Sequence, residues 1–591
     1  MIYSKKLTIC IILISMAFTF SGVLNAAQVE VKRPNVLLIV GDDMAFGDIG
    51  AFGSEIETPT LDYLAKEGIK FSNFHATPVC SVTRSELLTG ANNIEVGLGA
   101  FDYAVYPPAK GKRGYEGYLN DNALTIAQIL KDAGYNTYTT GKWHLGGTHG
   151  AGKGPHEWGF SRSYGIYVGG SNHWNQEVML PDVKDPVTAK ALKDGKIPKV
   201  SKEVFQENGK EVERPVGVYS NDLYTSKMIE FMEKDRTSGK PFFAYLAYTT
   251  AHFPIQAPST LIDKYYATYY KLGYEGLRKS RFKAMKKRGI ISNKASYHDG
   301  KTDGTGNLVK SWSDLSDEQK KHQARIMATY SAMIDDQDRH ISKIFDYLKE
   351  TDTFNNTLII YLTDNGPEGI DLRGKLSNPL LRNWVDSNYS GTFSNIGNGE
   401  TNWQIGTTWA NSATGVLSWW KGFVGEGGMR TPLIIRPPVS TQFNRKNSLS
   451  DVLVSVKDIP MTILDYVGIR HPGNKYKKRI IAVPSGVSMK KFLEGSANRV
   501  RTDKDWLAFE LFGNKYVIIG EYKATRLRKG QYGDGTWHLY NIINDPGETK
   551  PLESKHPERL KKMISLYNAY ADTRGIVPVA EDWNPYSAVS H

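Results

Sequence analysis

The chain has 591 residues, of which 40% are hydrophobic, 23% charged and 11% aromatic. This composition excludes a disordered or fibrous chain, and the length allows one large domain with a smaller one, or several domains. The net charge is +12, but the lysines and arginines are spread along the chain without a nucleic-acid-binding motif, so we expect no nucleic acid partner.

Residues 1–27 have the pattern of a secretory signal peptide. Lys5 and Lys6 precede an apolar run over residues 7–20, and small residues follow up to Ala27. Because the run is short for a membrane-spanning helix, we expect no stable membrane anchor. The protein is therefore predicted to be periplasmic or secreted, and loss of the two lysines lowers its net charge from +12 to +10.

The mature chain would keep a single cysteine, Cys80, because Cys10 lies within the leader. An exported protein with one thiol has no internal disulfide, so this thiol needs another explanation. Cys80 enters a helix-compatible stretch, where the N-terminal N–H groups favour a thiolate and attract an anionic substrate. Arg84 follows one turn later on the same face. The alternative is a buried, inert thiol beside a surface arginine.

Strand-like and helical patterns alternate over most of the chain. Strands are predicted at 34–40, 135–140, 241–248, 357–363 and 433–435, and helices at 58–67, 124–131, 326–348 and 452–467. The alternation predicts an α/β fold with a large mixed, mostly parallel sheet that is sandwiched by helices. Residues 259–325 are predicted to form an insertion near the site, and residues 370–420 an irregular loop region.

The pattern changes to short β segments from about Trp506. Three segments, 506–512, 516–522 and 537–541, precede a final helix predicted over 557–571. This order predicts a small C-terminal α+β domain that carries an antiparallel sheet. The expected division is a signal peptide over 1–27, a main domain over 28–490 and the small domain over 491–591.

Polar side chains follow four predicted strands at the point where each strand ends. They are Asp42 and Asp43, Lys142 and His144, His252, and Asp364 and Asn365. Ligands of open α/β sheets bind along that edge, so these side chains are expected to meet there. Carboxylates and an amide suit Ca²⁺ or Mg²⁺, lysines suit a sulfate or phosphate oxygen, and a histidine can protonate a leaving oxygen. Each motif alone is also common in ordinary turns.

Together, these motifs resemble the type I, formylglycine-dependent sulfatases, and most of all bacterial arylsulfatases. Cys-Ser-Val-Thr-Arg at Cys80, followed by Leu-Leu-Thr-Gly, is similar to the signature of that family. Asp-Asp, Gly-Lys-Trp-His-Leu-Gly, Ala-His-Phe-Pro, Thr-Asp-Asn-Gly and the Lys421 segment follow the family's order around it. The resemblance extends over nearly the whole mature chain. It implies the alkaline-phosphatase-like sulfatase fold, with a catalytic domain over 28–490, and hydrolysis of a sulfate ester such as an aryl sulfate.

The resemblance also implies a nucleophile and a metal site. A maturation enzyme would convert Cys80 to formylglycine (3-oxoalanine), whose hydrate attacks sulfur while Arg84 steadies it. Ca²⁺, rather than Mg²⁺, would be held by four side chains together with the modified residue 80: Asp42, Asp43, Asp364 and Asn365.

The remaining candidates are assigned to the substrate by the same resemblance. Lys142 and Lys421 would bind the sulfate group, and His252 would contact it and protonate the leaving alcohol or phenol. His144 would assist the hydrate. The substrate would be a small-molecule or glycan sulfate ester.

The chain departs from the family at Val82, where the modification motif carries proline. Maturation enzymes read this short segment, so the departure bears on the conversion of Cys80. Two alternatives therefore stand beside sulfate ester hydrolysis. One is a phosphate or phosphonate ester hydrolase of the same superfamily, and the other is a non-catalytic protein that binds sulfated glycans with an unconverted Cys80.

Overall fold

A mixed sheet of ten strands forms the centre of the fold in a computed structural model of the chain. The structure describes residues 33–101, 104–147, 151–175, 186, 190, 193–194, 205–298, 300, 311–369, 386, 389–529 and 533–583. The predicted signal peptide, residues 1–27, lies outside the described residues. Part of the predicted loop region 370–420 does so too.

The strands are numbered in chain order as follows: β1 Asn35–Gly41, β2 Ile69–Phe71, β3 Phe74–His75, β4 Asn136–Lys142, β5 Arg162–Ile166, β6 Phe205–Glu207, β7 Lys210–Val212, β8 Phe242–Ala247, β9 Thr357–Thr363, β10 Leu433–Arg436, β11 Ser448–Ser450, β12 Val454–Ser455, β13 Lys475–Tyr476, β14 Arg479–Ile480, β15 Leu507–Leu511, β16 Asn514–Ile519, β17 Tyr522–Arg526 and β18 Trp537–Asn541.

The α-helices are numbered in the same way: α1 Pro59–Glu67, α2 Cys80–Thr89, α3 Ile126–Asp132, α4 Ser220–Lys234, α5 Ser259–Lys287, α6 Asp317–Glu350, α7 Gly406–Ala413, α8 Glu426–Met429, α9 Asp458–Tyr466, α10 Lys490–Leu493 and α11 Pro557–Arg574.

The sheet has the strand order β11-β2-β10-β9-β1-β8-β4-β5-β6-β7. Strands β9, β1, β8, β4 and β5 are neighbours and run parallel. β10 is antiparallel to both β9 and β2, and β6 is antiparallel to β5. The prediction of a large mixed, mostly parallel sheet is therefore confirmed.

Apolar cores cover both faces of this sheet. Along β1, Leu37 and Ile39 belong to one core, which α4, α5 and α6 cover, while Leu38 and Val40 belong to the other, which α2, α3 and α9 cover. Alternate residues of a strand face opposite sides, so β1 is buried on both and reads as a continuous apolar run. This explains why the strand was visible in the sequence.

A four-stranded antiparallel sheet follows near the C-terminus, in the order β15-β16-β17-β18. One of its faces packs on α11, and the other packs against a group of apolar residues that includes Val79 and Val82 at the start of α2. The predicted antiparallel sheet and final helix are confirmed. The described residues from Pro34 onward cluster into one compact unit, and a boundary at residue 490 stays a prediction.

Two local features differ from what the sequence pattern indicated. Residues 259–287 belong to the predicted insertion, for which no helix was expected, and they form the 29-residue helix α5. Its buried face includes Tyr269, Arg278 and Arg281, and these polar side chains weakened the apolar periodicity. The helix predicted from residue 452 begins at Asp458, because Val454 and Ser455 instead pair with β3. Among the described residues, no helix combines the length and apolar character that a membrane crossing requires.

Candidate active site

The four strands whose ends carry the predicted polar residues lie side by side in the sheet. Gly41 of β1 pairs with Thr363 of β9, Val40 with Ala247 of β8, and Gly141 of β4 with the same Ala247. The residues that follow these strands therefore reach one edge together. The juxtaposition expected from the sequence is observed.

Cys80 is the first residue of α2 and is 4% exposed. Its Sγ lies 3.2 Å from Nδ1 of His144. The helix is fixed to the sheet edge by Thr83, whose hydroxyl donates to the backbone carbonyl of Asp364 at 2.6 Å and accepts from the N–H of Thr77 at 2.9 Å. The predicted placement of the thiol at a helix N-terminus is thus observed, and Thr83 is a positioning contact that the sequence analysis missed.

Arg84 joins the helix to two strand ends. Its Nε and Nη2 donate to Oδ2 of Asp364 at 2.9 and 2.7 Å, and its Nη1 donates to the carbonyl of Lys142 at 2.8 Å. The side chain is completely buried. A buried guanidinium needs such partners, and this pair holds Asp364 beside Cys80.

A set of oxygen and sulfur atoms converges at this edge in a way that fits a hard cation. One ligand atom each from Asp42, Cys80 and Asp364 lies within 4.8 Å of the other two. Oδ1 of Asp42 and Oδ1 of Asn365 are buried and have no hydrogen-bond partner among the described residues. The Asn365 amide donates to Oδ1 of Asp43 at 2.6 Å, so its own carbonyl oxygen remains for a cation. Carboxylate and amide oxygens are the ligands that Ca²⁺ prefers.

The two inner carboxylates have opposite electrostatic environments. Burial, and then repulsion from Asp364, raises the pKa of Asp42 well above its usual value. Burial also acts to raise the pKa of Asp364, but the charges of Arg84 and Lys142 outweigh it, and the pKa lies below its usual value. A divalent cation would remove the penalty for charging Asp42, since an adjacent positive charge favours the carboxylate.

Two lysines each form an ion pair with one of the carboxylates. Nζ of Lys142 is 2.7 Å from Oδ2 of Asp42, and Nζ of Lys421 is 2.9 Å from Oδ2 of Asp43. Glu368 lies 3.3 Å from Lys421 as well. Burial acts against the charge of Lys421, but Asp43 and Glu368 hold its pKa well above its usual value. Both lysine side chains therefore end at the carboxylates of this edge, beside the position of residue 80.

The Lys421 segment is tied to the site by its backbone. The N–H of Lys421 donates to the carbonyl of Pro367 at 3.1 Å, and the N–H of Gly422 donates to the carbonyl of Pro78 at 2.7 Å. These bonds connect it to both the Asp364 loop and the Cys80 loop. Lys421 is far from both in sequence, so its place could be assigned only through the family resemblance.

His252 has a defined orientation. Its Nδ1 lies 2.6 Å from the carbonyl oxygen of Phe253, so Nδ1 carries a proton, and Nε2 faces the site at 3.6 Å from Oδ2 of Asp43. Burial, and then the charges of Lys421 and Lys142, hold the pKa of His252 well below its usual value. An anion bound between the lysines would offset those charges, so the ring would gain its second proton more readily with substrate present.

The structure brings all the predicted site residues to one sheet edge and adds others that sequence reasoning missed. Besides Thr83, these are Glu368 and the pair Gly169-Gly170, whose backbone packs against the rings of His144 and His252. A Gly-Gly pair signals only a loop. The arrangement places a cation site beside a nucleophile position, two lysines and two histidines, which suits displacement at a charged ester.

Known proteins are similar to this chain in sequence and in fold. The sulfatase family profile matches residues 34–469 of the chain. An uncharacterised sulfatase of Schizosaccharomyces pombe is 36% identical over 576 residues, which cover 94% of this chain and 96% of that protein. The arylsulfatase of Klebsiella aerogenes is 33% identical over 476 residues, which cover 80% of this chain and 95% of that protein.

Solved structures have the same fold at lower identity. Ps i-CgsB in complex with k-i-k-neocarrahexaose superposes with a TM-score of 0.61 and 22% identity, covering 91% of this chain and 93% of that chain. A protein in complex with its substrate D-glucosamine-2-N,6-O-disulfate gives a TM-score of 0.57 and 19% identity, covering 94% of this chain and 100% of that chain. At these identities the likeness shows the fold alone.

Proposed function

The chain belongs to the sulfatase family and is a sulfuric ester hydrolase, and we propose that it uses residue 80, oxidised to formylglycine, as its nucleophile beside a bound Ca²⁺. One observation carries this proposal. Ligand atoms of Asp42, Cys80 and Asp364 lie within 4.8 Å of one another at the N-terminus of α2. A cation there would contact residue 80 directly.

Four side chains would hold the cation: Asp42, Asp43, Asp364 and Asn365. When bound, Ca²⁺ supplies Lewis-acid stabilisation of the charge on the sulfuryl oxygens. Arg84 keeps Asp364 in place through Oδ2, and the buried Oδ1 atoms of Asp42 and Asn365 provide the oxygens that have no other partner among the described residues.

Residue 80 is proposed to act after maturation, and the Sγ of Cys80 stands in this structure for the reacting oxygen. Formylglycine would supply a hydrated aldehyde, one hydroxyl of which would attack sulfur. His144 Nδ1, at 3.2 Å from Sγ, lies within hydrogen-bond reach of that position and can accept its proton. The maturation enzyme would act on the unfolded segment, since Cys80 is buried in the fold.

Lys142 and Lys421 are proposed to bind the sulfate group. They are bound here to Asp42 and Asp43, and a cation on those carboxylates would free the ammonium groups for the sulfuryl oxygens. The positive charge of the two lysines would stabilise the negative charge that develops on the sulfuryl oxygens in the transition state.

His252 is proposed to be the general acid. As the ester S–O bond breaks, its electron pair moves to the leaving oxygen, which takes the proton from Nε2 of the ring. The contact of Nδ1 with the Phe253 carbonyl holds Nε2 toward the site throughout this step. The leaving group would then depart as a phenol or alcohol. The sulfuryl group, now bonded to an oxygen of residue 80, would leave as sulfate when that C–O bond breaks, while His144 takes the proton of the second hydroxyl and the aldehyde is restored.

The substrate is proposed to be an aryl sulfate, because the arylsulfatase of Klebsiella aerogenes is 33% identical over 80% of this chain. A glycan sulfate ester is the alternative, since fold neighbours were solved with carbohydrate ligands. We further propose a periplasmic or secreted location, which rests on the sequence pattern of residues 1–27.

The test is an assay of the full-length protein with Ca²⁺ on 4-nitrophenyl sulfate and on 4-nitrophenyl phosphate. We expect equimolar nitrophenol and inorganic sulfate, a much lower rate on the phosphate ester, and loss of turnover in Cys80→Ala. Faster release from the phosphate would instead indicate a phosphate ester hydrolase. Binding of a sulfated glycan without any turnover would indicate a non-catalytic protein.

A further inference from the structure

One loop, residues 167–175 after β5, packs against both histidines that are proposed to act in catalysis. The backbone of Gly169 lies so close to His144 that an added Cβ would be 2.7 Å from Cε1 of the ring. At Gly170 an added Cβ would be 2.7 Å from Cε1 of His252. Such distances are below normal van der Waals contact, so the loop backbone sets how far either ring can turn.

His173 of the same loop forms a hydrogen bond with the backbone of His252. Nε2 of His173 donates to the carbonyl oxygen of His252 at 3.0 Å, and Nδ1 accepts from the hydroxyl of Ser220 at 2.8 Å. Burial and the nearby charge of Arg214 lower the pKa of His173 to about 3, so the ring is neutral. In the neutral ring the carbonyl partner places the one proton on Nε2.

Arg214 binds the backbone of the same loop. Its guanidinium donates to four backbone carbonyls, those of Asn172 and Asn175 through Nη1 and those of His173 and Val218 through Nη2. The residue is 3% exposed. Three of its acceptors belong to the loop and the fourth lies just before α4. No smaller cation can reach four carbonyls, since only the planar guanidinium offers several N–H groups in a fixed fork.

We propose that Arg214 and His173 form a positioning clamp that orients His252, and through Gly169 also His144, for the proposed sulfate ester hydrolysis. Neither residue touches substrate in this account. Arg214 holds the loop, the loop holds the two rings, and His173 holds the carbonyl of His252 itself. The inference rests on the proposed role of His252 as the proton donor to the leaving oxygen.

If the clamp orients His252, substitutions in it should slow proton transfer to the leaving oxygen more than any other step. A misdirected Nε2 slows proton delivery, and this matters most when the leaving phenolate is basic. Phenyl sulfate has such a leaving group, whereas 4-nitrophenyl sulfate leaves as a stabilised phenolate that needs little protonation. Sulfate binding by Lys142 and Lys421 should remain, because the hydrogen bonds and ion pairs of these lysines in the described part of the chain go to carboxylates outside the loop.

The experiment compares kcat and KM of the Ca²⁺-loaded enzyme on both esters. Arg214→Lys keeps the charge but not the fork, and we expect its kcat on phenyl sulfate to fall at least about tenfold more than on 4-nitrophenyl sulfate, with KM nearly unchanged. His173→Leu removes the Nε2 donor and should show the same selectivity. His173→Gln, whose amide can donate at the position of Nε2, should recover part of the loss.

Arg436→Lys is the matched control. Arg436 is also buried and donates to backbone carbonyls, those of Phe354 and Thr357, but it lies at the opposite edge of the sheet. This substitution should lower thermal stability without changing the ratio of rates on the two esters.

The outcomes separate the clamp from the proposed function. Equal losses on both esters in Arg214→Lys and His173→Leu, with an active wild-type enzyme, would overturn the clamp and leave the proposed function intact. If Arg214→Lys does not fold, the His173 variants decide the question in the same way. A wild-type protein that releases sulfate from neither ester would overturn the proposed function, and the clamp as a device of that reaction with it.

Discussion

Arg84 binds Asp364 through one carboxylate oxygen only. Its Nε and Nη2 both lie within 2.9 Å of Oδ2, whereas Oδ1 of Asp364 is approached by the backbone N–H of Asp43 at 3.4 Å. The guanidinium therefore fixes the carboxylate without occupying both of its oxygens. Oδ1 therefore has no side-chain cation bound to it among the described contacts of Arg84, and Asp364 lies beside Asp42 and residue 80, where the cation is proposed to bind.

Arg84→Lys should consequently impair the metal site more than the fold. A lysine keeps the charge but cannot bind Oδ2 twice and the Lys142 carbonyl together. We expect kcat to fall on the order of 100-fold and Ca²⁺ affinity to fall, measured by initial rates and titration calorimetry. Arg501→Lys, in the buried ion pair with Asp458, is the control and should leave both unchanged. Unaltered Ca²⁺ affinity in Arg84→Lys would contradict this account.

Removal of calcium should lower both activity and thermal stability. Asp42 is buried with an unpartnered Oδ1 and a raised pKa, so a cation stabilises the folded state by binding it. At a Ca²⁺ concentration 100 times its Kd the gain is about 2.7 kcal/mol, which a thermal melt detects. Asp42→Asn should abolish the response. Asp338→Asn, at a buried carboxylate that caps α1, should retain it. A chelated enzyme with full activity would refute the calcium proposal.

Gly170→Ala should slow catalysis although alanine is otherwise a mild change. Its Cβ would collide with His252, and a ring displaced by about 1 Å can cost on the order of 100-fold in rate. Gly276→Ala is the control, because its Cβ would meet nothing nearer than Leu272 at 3.4 Å within α5. That variant should keep its kcat, and its free energy of unfolding should rise by roughly 0.5–1 kcal/mol. Equal kcat for the two variants would argue against the close packing of the loop on His252.

Glu510→Gln should change how stability depends on pH. Burial raises the pKa of Glu510 on β15 from 4.5 to about 7, so the folded protein holds a proton that the unfolded chain releases. The contribution of this proton to the free energy of unfolding is fully present below pH 4.5 and is lost as the pH rises through about 7. The loss amounts to about 3 kcal/mol. Denaturant titrations at pH 4.5 and 8 should show a smaller loss in Glu510→Gln than in the wild type. The exposed Glu521→Gln should behave as the wild type does. Parallel pH curves for Glu510→Gln and the wild type would show that Glu510 is not the group responsible.

Val82→Pro should fold and raise the extent of conversion of Cys80. Val82 is the third residue of α2, and the first four N–H groups of a helix have no partner within it, so proline removes no helical hydrogen bond. We expect a stability change of about 1 kcal/mol from lost packing, since Val82 is buried against the C-terminal sheet. Mass spectrometry of the residue 80 peptide measures the effect. An unchanged aldehyde fraction would show that Val82 does not limit maturation.

The sequence predicted which side chains meet at the edge of the sheet because the strand patterns and the polar residues at the strand ends are both local features. Buried parallel strands appear as apolar or β-prone runs. Asp42 and Asp364 follow two of them directly, Lys142 ends a third, and His252 lies in the loop after the fourth. Neighbouring strands bring such ends together whatever the order of the chain. The start of α2 at Cys80 was similarly visible from its own residues.

Other features depend on contacts between distant segments and could not be predicted. Arg214 and Asn172 are 42 residues apart, and nothing near either residue indicates that they meet. Helix α5 was missed because its buried Tyr269, Arg278 and Arg281 find partners elsewhere, such as Glu55 and the Asn411 carbonyl. Buried polar residues with remote partners look like surface residues in the sequence.

The central claim is that residue 80 acts as formylglycine, and peptide mass spectrometry across Cys80 tests it most directly. The protein should come from its natural host, and the aldehyde fraction should be compared with the rate of sulfate release in the same preparations. We predict an aldehyde in place of the thiol and a rate proportional to the converted fraction. Full sulfatase activity in preparations whose Cys80 is an unmodified thiol in every molecule would contradict the account.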